Sequence, residues 1–153
     1  MNKRLLKKFC RYGWNNGMIY GENGWIATAY AIIRAEAPSG VLVVPFNKLA
    51  SKDDLEVMIA LATKSRTRVT IDPVAGFVAR EIVGYRVTGL KPTGRFRDAA
   101  RWMVPVLYEV INAQKPDKLV SVKSGKHERA VATVKDGACI GIFMPMRSAL
   151  KAR

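Results

Sequence analysis

The sequence is poor in the residue types that build metal sites and disulfides. Its 153 residues include two cysteines, Cys10 and Cys139, and one histidine, His127. A structural zinc site needs four Cys or His ligands at short spacings, so we expect no bound metal. Neither cysteine belongs to a Cys-x-x-Cys pair, and Cys139 lies in the apolar run Ala138–Phe143. This usage predicts buried, reduced thiols and a cytoplasmic protein.

Segments typical of export, membrane insertion or catalysis are also missing. The first residues are basic but lack the apolar stretch of a secretory signal, and no run approaches the roughly 18 apolar residues of a membrane-spanning helix. There is no Gly-rich loop ending in Gly-Lys-Ser/Thr and no acidic pair in an apolar setting. His127 lies in a charged turn, and Asp53-Asp54 suits a helix start. We therefore expect neither an enzyme nor a cofactor.

Positive charge, by contrast, is in excess. The chain carries 26 Lys and Arg against 12 Asp and Glu, which gives a formal net charge of +14. This excess favours a polyanionic partner such as DNA or RNA, and an incidentally basic surface is the plainer alternative. Hydrophobic residues make up 49% of the chain, which is enough for one folded domain with its own core.

The apolar patterns predict an α+β fold with two helices. The first helix follows a strand at Val41–Val44, and the second begins at Pro105, since proline suits the first helical turn. Their apolar faces consist of Leu55, Met58, Ile59 and Ala62, and of Leu107, Val110 and Ile111. Strands are predicted at Arg68–Ile71, Gly76–Val83 and Tyr85–Leu90, then at Lys118–Lys123, Ala130–Lys135 and Ala138–Met144. Asn23-Gly24 and Asp136-Gly137 predict tight turns.

This order is an internal repeat of strand, helix and three strands. Val43-Val44-Pro45 precedes the first helix, and Met103-Val104-Pro105 precedes the second. One such unit cannot bury its sheet face alone, whereas two can share a core. The predicted division is a basic N-terminal arm at 1–16, a single domain at 17–147 and a basic C-terminal extension at 148–153. Repeat one spans about 41–90 and repeat two about 102–147.

Two βαβββ repeats per domain are the build of the sliding-clamp fold, and four segments resemble the bacterial DNA polymerase III β clamp in its own order. Bacterial clamps end with a hydrophobic pair and Met-Pro-Met-Arg, which is similar to Ile142-Phe143-Met144-Pro145-Met146-Arg147. A second segment, Gly94-Arg95-Phe96-Arg97-Asp98 with Arg101 and Pro105, resembles a Gly-Arg-Phe-Pro-Asp pattern, with Arg97 in place of proline and one residue inserted. The other two are Gly21–Ala27, similar to an Asp-Gly-His-Arg turn, and Val43-Val44-Pro45 with Lys48-Leu49.

The resemblance implies a clamp-like domain with its helices on one face of antiparallel sheets. Clamp subunits have three such domains, and this chain has room for one. It therefore looks like a minimal, divergent clamp-like protein of the kind that a phage or plasmid carries. Closing a ring from one-domain chains would take about six copies, so the resemblance implies a homo-oligomer.

In the family, basic helices contact DNA phosphates without reading bases, as Lys and Arg do in sequence-independent binding. The positions that match here are Lys48, Lys52, Lys64 and Arg66 around the first helix, and Arg95, Arg97, Arg101 and Lys115 around the second. The N-terminal arm, as one or two helical turns or as a mobile segment, adds Lys3, Arg4, Lys7, Lys8 and Arg11. The expected partner is double-stranded DNA.

The resemblance also implies a pocket for short peptides of a polymerase or clamp loader. The matching positions are Gly24, Trp25, Ile26, Phe143, Met144, Pro145, Met146 and Arg147. Three functions stay open. The first is a clamp-like processivity or accessory factor in DNA replication or a related DNA transaction. The second is a monomeric basic nucleic-acid-binding protein, and the third is an interaction protein that mimics a clamp domain and engages host replication proteins.

Overall fold

The chain has an α+β fold, as predicted. The computed structural model describes residues 1–12, 18–46, 52–95, 97–124 and 128–151. The helices are α1 (Lys3–Arg11), α2 (Lys52–Lys64) and α3 (Pro105–Gln114). The strands are β1 (Met18–Glu22), β2 (Trp25–Ala27), β3 (Ala31–Arg34), β4 (Leu42–Val44), β5 (Thr70–Val78), β6 (Glu81–Thr88), β7 (Ala99–Met103), β8 (Lys118–Ser124), β9 (Glu128–Lys135), β10 (Ala138–Phe143) and β11 (Met146–Lys151).

The strands form two sheets. The larger has seven strands in the order β4-β1-β2-β3-β10-β9-β8, and the smaller has four in the order β11-β7-β6-β5. Neighbouring strands are antiparallel except for β1 and β4, which are parallel, so the larger sheet is mixed. The expectation of purely antiparallel sheets is wrong at this edge. A parallel partner can only be reached by a crossover, which the long connection after β3 supplies.

The chain passes between the two sheets three times, from β4 to β5 through α2, from β7 to β8 through α3, and from β10 to β11. Pro145 lies between β10 of the larger sheet and β11 of the smaller one. The segment before β5 first pairs beside β8, where the Val69 N–H donates to the carbonyl oxygen of Leu119 at 3.0 Å. The Ser121 N–H likewise donates to Thr67 at 2.9 Å. The sheets are therefore linked through backbone as well as side chains.

The helices lie on opposite faces of the seven-stranded sheet. Leu107, Val110 and Ile111 of α3 pack in a core with Phe9 of α1 and with Val131 of β9. Leu55, Met58, Ile59 and Ala62 of α2 pack with Ala130 and Ala132, which point the other way from the same strand. The prediction that the helices share one face is wrong, because both faces of this sheet are apolar and each needs a cover.

The elements of the second unit follow the predicted order of strand, helix and three strands, as β7, α3, β8, β9 and β10, but β7 belongs to the smaller sheet and the other three strands to the larger one. The first unit has two strands after its helix, not three. Its turn lies at Ala79-Arg80, both with positive φ, whereas the predicted break at Gly84 lies inside β6. Gly84 is needed there because a Cβ would collide with the carbonyl oxygen of Met103 on the neighbouring strand.

Several local predictions are confirmed. The helix α3 begins at Pro105 and ends with Lys115 in the left-handed conformation. The Asn23-Gly24 and Asp136-Gly137 turns have positive φ at both residues, as tight hairpin turns require. Cys10 and Cys139 are free and buried.

Among the helices of the described residues, none is long and apolar enough to cross a membrane.

Candidate nucleic-acid interface

The N-terminal helix α1 is anchored in the core by its apolar side. Its first turn is capped by Asn2, whose Oδ1 accepts a hydrogen bond from the Leu5 N–H at 2.8 Å. Phe9 is fully buried and Cys10 nearly so, and both belong to the core that α3 completes. Burial of a phenylalanine side chain stabilises this contact by roughly 1.5–3 kcal/mol. The basic arm therefore includes a fixed helix.

The opposite side of α1 carries five exposed cations, Lys3, Arg4, Lys7, Lys8 and Arg11. They recur at spacings of three and four residues, which places them along one helical face. The helix contains no acidic residue. Lys3 and Arg4 lie in its first turn, where positive charge is unfavourable against the helix dipole, so these two cations do not stabilise the helix itself. We call this surface the α1 basic face.

The two repeat helices carry little positive charge of their own. α3 has no Lys or Arg and contains Glu109. α2 has Lys52 and Lys64 against three acidic residues. Lys64 and Arg66 are exposed at the end of α2 and just beyond it, and Lys115 is exposed at the end of α3. Lys48 lies outside the described residues.

The remaining predicted cations lie around β7 and differ in accessibility. Arg95 and Arg97 are exposed in the connection before β7, where Arg97 lies 3.9 Å from Asp98. Arg101 is only 5% exposed, and its Nη1 donates to the carbonyl oxygen of Ala99 at 2.6 Å. Burial lowers the pKa of Arg101, and the charge of Glu128 opposes that shift. A buried guanidinium cannot face a duplex, so Arg101 does not belong to one contact surface with the exposed Arg95 and Arg97.

The residues predicted to bind a peptide are divided among several environments. Ile26 and Phe143 are buried in the core with α3, and Gly24 is exposed in the β1–β2 turn. Pro145, in the connection between the two sheets, is half-buried. Met146, the first residue of β11, is 49% exposed. Arg147 is exposed and lies 3.4 Å from Glu128.

Trp25 and Met144 line different cavities, and Leu55 of α2 lines both. The cavity beside Trp25 is about 170 Å³, and Trp25 also lies 5.3 Å from the Arg34 guanidinium. The cavity beside Met144, which we call the Met144 cavity, is about 230 Å³. The structure therefore does not bring the β1–β2 turn and the Met-Pro-Met-Arg segment into one pocket.

Thr28 and Tyr30 in the Met144 cavity were not predicted from the sequence. The Thr28 Oγ1 is buried without a hydrogen-bond partner in the described part of the chain. Leaving a hydroxyl in this state costs about 1–3 kcal/mol. Tyr30 also contacts Tyr12 at the end of α1, with ring centroids 5.7 Å apart. Nothing in the Thr28–Tyr30 sequence distinguishes it from an ordinary hairpin turn.

Two sheet edges expose apolar side chains. β4 ends the seven-stranded sheet, and its Leu42 is 64% exposed. β5 ends the four-stranded sheet, where Val74 and Phe77 are 72% and 59% exposed, beside Ile82 of β6. Edge strands present unpaired backbone groups, and apolar edges favour pairing with another chain.

Among the residues described, no cluster of three or more His, Cys, Asp or Glu side chains could hold a metal ion. In comparisons with known proteins, no protein-family model, no curated protein and no solved structure matches this chain.

Proposed function

We propose that the chain is a sequence-independent DNA-binding protein that acts as a clamp-like processivity or accessory factor in DNA replication or a related DNA transaction. The α1 basic face carries the proposal, because it presents five cations on a helix whose other side is buried. The resemblance of Met144-Pro145-Met146-Arg147 to the clamp tail supports the replication context.

The proposed contact is between the α1 basic face and the phosphate backbone. Each cation that neutralises a phosphate releases condensed counterions, which favours binding without regard to base sequence. α2 and α3 lie on opposite faces of the seven-stranded sheet, so one duplex cannot lie against both. The proposal therefore assigns DNA contact to α1 in place of the repeat helices.

Homo-oligomerisation is part of the proposal. The exposed apolar residues of β4 and of the β5–β6 hairpin are two different edges of one chain. An edge that pairs with a different edge of the next copy makes a head-to-tail contact, which closes into a ring or continues as a filament. Several copies along one duplex would add their phosphate contacts and lengthen residence on DNA.

Fluorescence anisotropy with two duplexes of unrelated sequence, titrated between about 50 and 200 mM salt, tests DNA binding. Lys8 is paired with Glu109, so four of the five α1 cations remain, and we expect a slope of log K against log salt of about −3.6. The two duplexes should bind equally. Absence of binding at the lowest salt, or a strong preference for one sequence, would overturn the proposal.

A second candidate is an interaction protein that engages a polymerase or clamp loader without DNA. The Met144 cavity favours it, because Met58, Met144 and the exposed Tyr30 are adaptable apolar side chains that suit a short peptide. Binding of purified polymerase or loader that is lost in Met144→Glu, with no shift of duplex DNA, would select this function over the first.

A further inference from the structure

A cavity of about 310 Å³ lies between the second half of α1 and the segment that leads into β4. Its lining residues are Lys7, Cys10, Arg11, Ser39, Gly40 and Val41. Lys7 and Arg11 are four residues apart on α1, so their side chains lie on consecutive turns of one face. The cavity is thus bounded by α1 on one side and by the Ser39–Gly40 turn on the other.

The groups in this cavity suit an anion. Lys7 and Arg11 form no ion pair within the described part of the chain, and no carboxylate lines the cavity. Ser39 adds a hydroxyl that forms no hydrogen bond with the described residues. Burial raises the pKa of the Cys10 thiol to about 11, so near neutral pH this group is uncharged and does not repel an anion. Arginine and lysine with a hydroxyl donor are the groups that bind phosphate oxygens in proteins.

A neighbouring cavity on α1 differs from this one in its charge. Arg4 and Lys8 line it, but so does Glu109, whose carboxylate lies 3.3 Å from Lys8. The acidic group neutralises one cation there and repels a phosphate. The same helix therefore has one cavity whose two positive charges are unopposed and another in which one of the two is compensated by Glu109.

We infer that the cavity formed by Lys7, Arg11 and Ser39 is a phosphate-binding site that takes one phosphate group, either free or carried by a nucleic-acid backbone. Lys7 and Arg11 neutralise the phosphate charge, and the Ser39 hydroxyl donates a hydrogen bond. Gly40 has φ +86°, a left-handed conformation that other residues adopt only with strain. If the phosphate belongs to a nucleic acid, the inference rests on the proposed function. Binding of that phosphate would then determine where the α1 basic face lies along the nucleic-acid backbone.

The test is a titration with sodium phosphate that is monitored by the chemical shifts of the backbone amides in NMR spectra. A parallel titration with sodium chloride at the same ionic strength is the control. We expect saturable shifts at residues 7–11 and 39–41 that chloride does not reproduce. The Lys7→Ala/Arg11→Ala double variant should lose them, and Ser39→Ala should weaken them several-fold. The matched control is Lys3→Ala/Arg4→Ala, which removes the same charge from the same helix and should keep them. Absence of saturable shifts, or equal loss in both double variants, would overturn the inference.

Duplex DNA binding of the same variants distinguishes the sources of the phosphate. If the site holds a backbone phosphate, Lys7→Ala/Arg11→Ala should weaken duplex binding more than Lys3→Ala/Arg4→Ala does. If both double variants weaken duplex binding equally and phosphate causes no saturable shifts, the phosphate site is wrong and the proposed function still holds. Phosphate shifts without any duplex binding would keep the site as one for free phosphate and remove the proposed function.

Discussion

The Nζ of Lys8 lies 3.3 Å from the Oε2 of Glu109, joining α1 to α3 across their outer surface. Both side chains are at least half exposed to solvent, so the pair contributes little to stability, between about 0 and 1 kcal/mol. The pair matters more for the charge of the α1 basic face, because the Glu109 carboxylate offsets one of the five positive charges on that face.

Glu109→Gln should strengthen DNA binding. The substitution removes a negative charge beside the α1 basic face and frees Lys8 for a phosphate, so the slope of log K against log salt should steepen by about 1. The free energy of unfolding should change by less than about 1 kcal/mol, measured in urea. Unchanged affinity and slope would show that DNA does not contact this part of α1.

Arg101→Gln should lower stability and leave the salt slope of DNA binding unchanged. Arg101 is buried beside β11, and the loss of its hydrogen bond to Ala99 should cost about 1–3 kcal/mol in the free energy of unfolding. The matched control is Arg97→Gln in the preceding exposed connection, which should leave stability unchanged. A shallower salt slope for Arg101→Gln would contradict its inward placement.

Stability should fall in alkaline solution because of Cys10. Burial raises the pKa of this thiol from 9.0 to about 11, so the folded protein favours the neutral form. The resulting stabilisation is fully present below about pH 9 and is lost as the pH rises towards about 11. Urea unfolding of Cys10→Ala should therefore show a weaker decline over this interval than the unsubstituted protein. Parallel declines would mean that Cys10 ionises equally in the folded and unfolded states.

Phe77→Ser on the β5–β6 hairpin should reduce self-association. Phe77 is 59% exposed, so the change should spare the fold while removing apolar contact area from the sheet edge. Light scattering should then give a mass nearer to 17.0 kDa than that of the unsubstituted protein at equal concentration. Leu42→Ser on β4 tests the other edge in the same way. A monomeric mass for the unsubstituted protein at all concentrations would contradict both.

Features with a local cause could be predicted from the sequence, and features set by distant contacts could not. Asn23-Gly24 and Asp136-Gly137 form turns because their own backbone preferences require it. The Ala79-Arg80 turn escaped prediction because neither residue favours positive φ, and only the pairing of β5 with β6 places the bend there. The assignment of α2 and α3 to opposite faces depends on which residues of β9 meet each helix, and their apolar faces do not encode that choice.

The same distinction between local and distant causes applies to the candidate nucleic-acid interface. The five cations of α1 could be found from their spacing alone. Arg101 was assigned to the DNA-contacting positions by its match to the clamp segment before the second helix, and a match in sequence does not show that its side chain is buried. Ser39 and Gly40 carry the composition of a turn, and only the packing of α1 brings them beside Lys7 and Arg11.

The seven-stranded sheet separates two surfaces that could be occupied at the same time. The core of α1 and α3 covers one face, and α2 with the Met144 cavity covers the other. A ligand on the α1 basic face therefore does not compete sterically with one held against α2. Tyr12 at the end of α1 contacts Tyr30, which lines the Met144 cavity, so one ring pair joins the two sides.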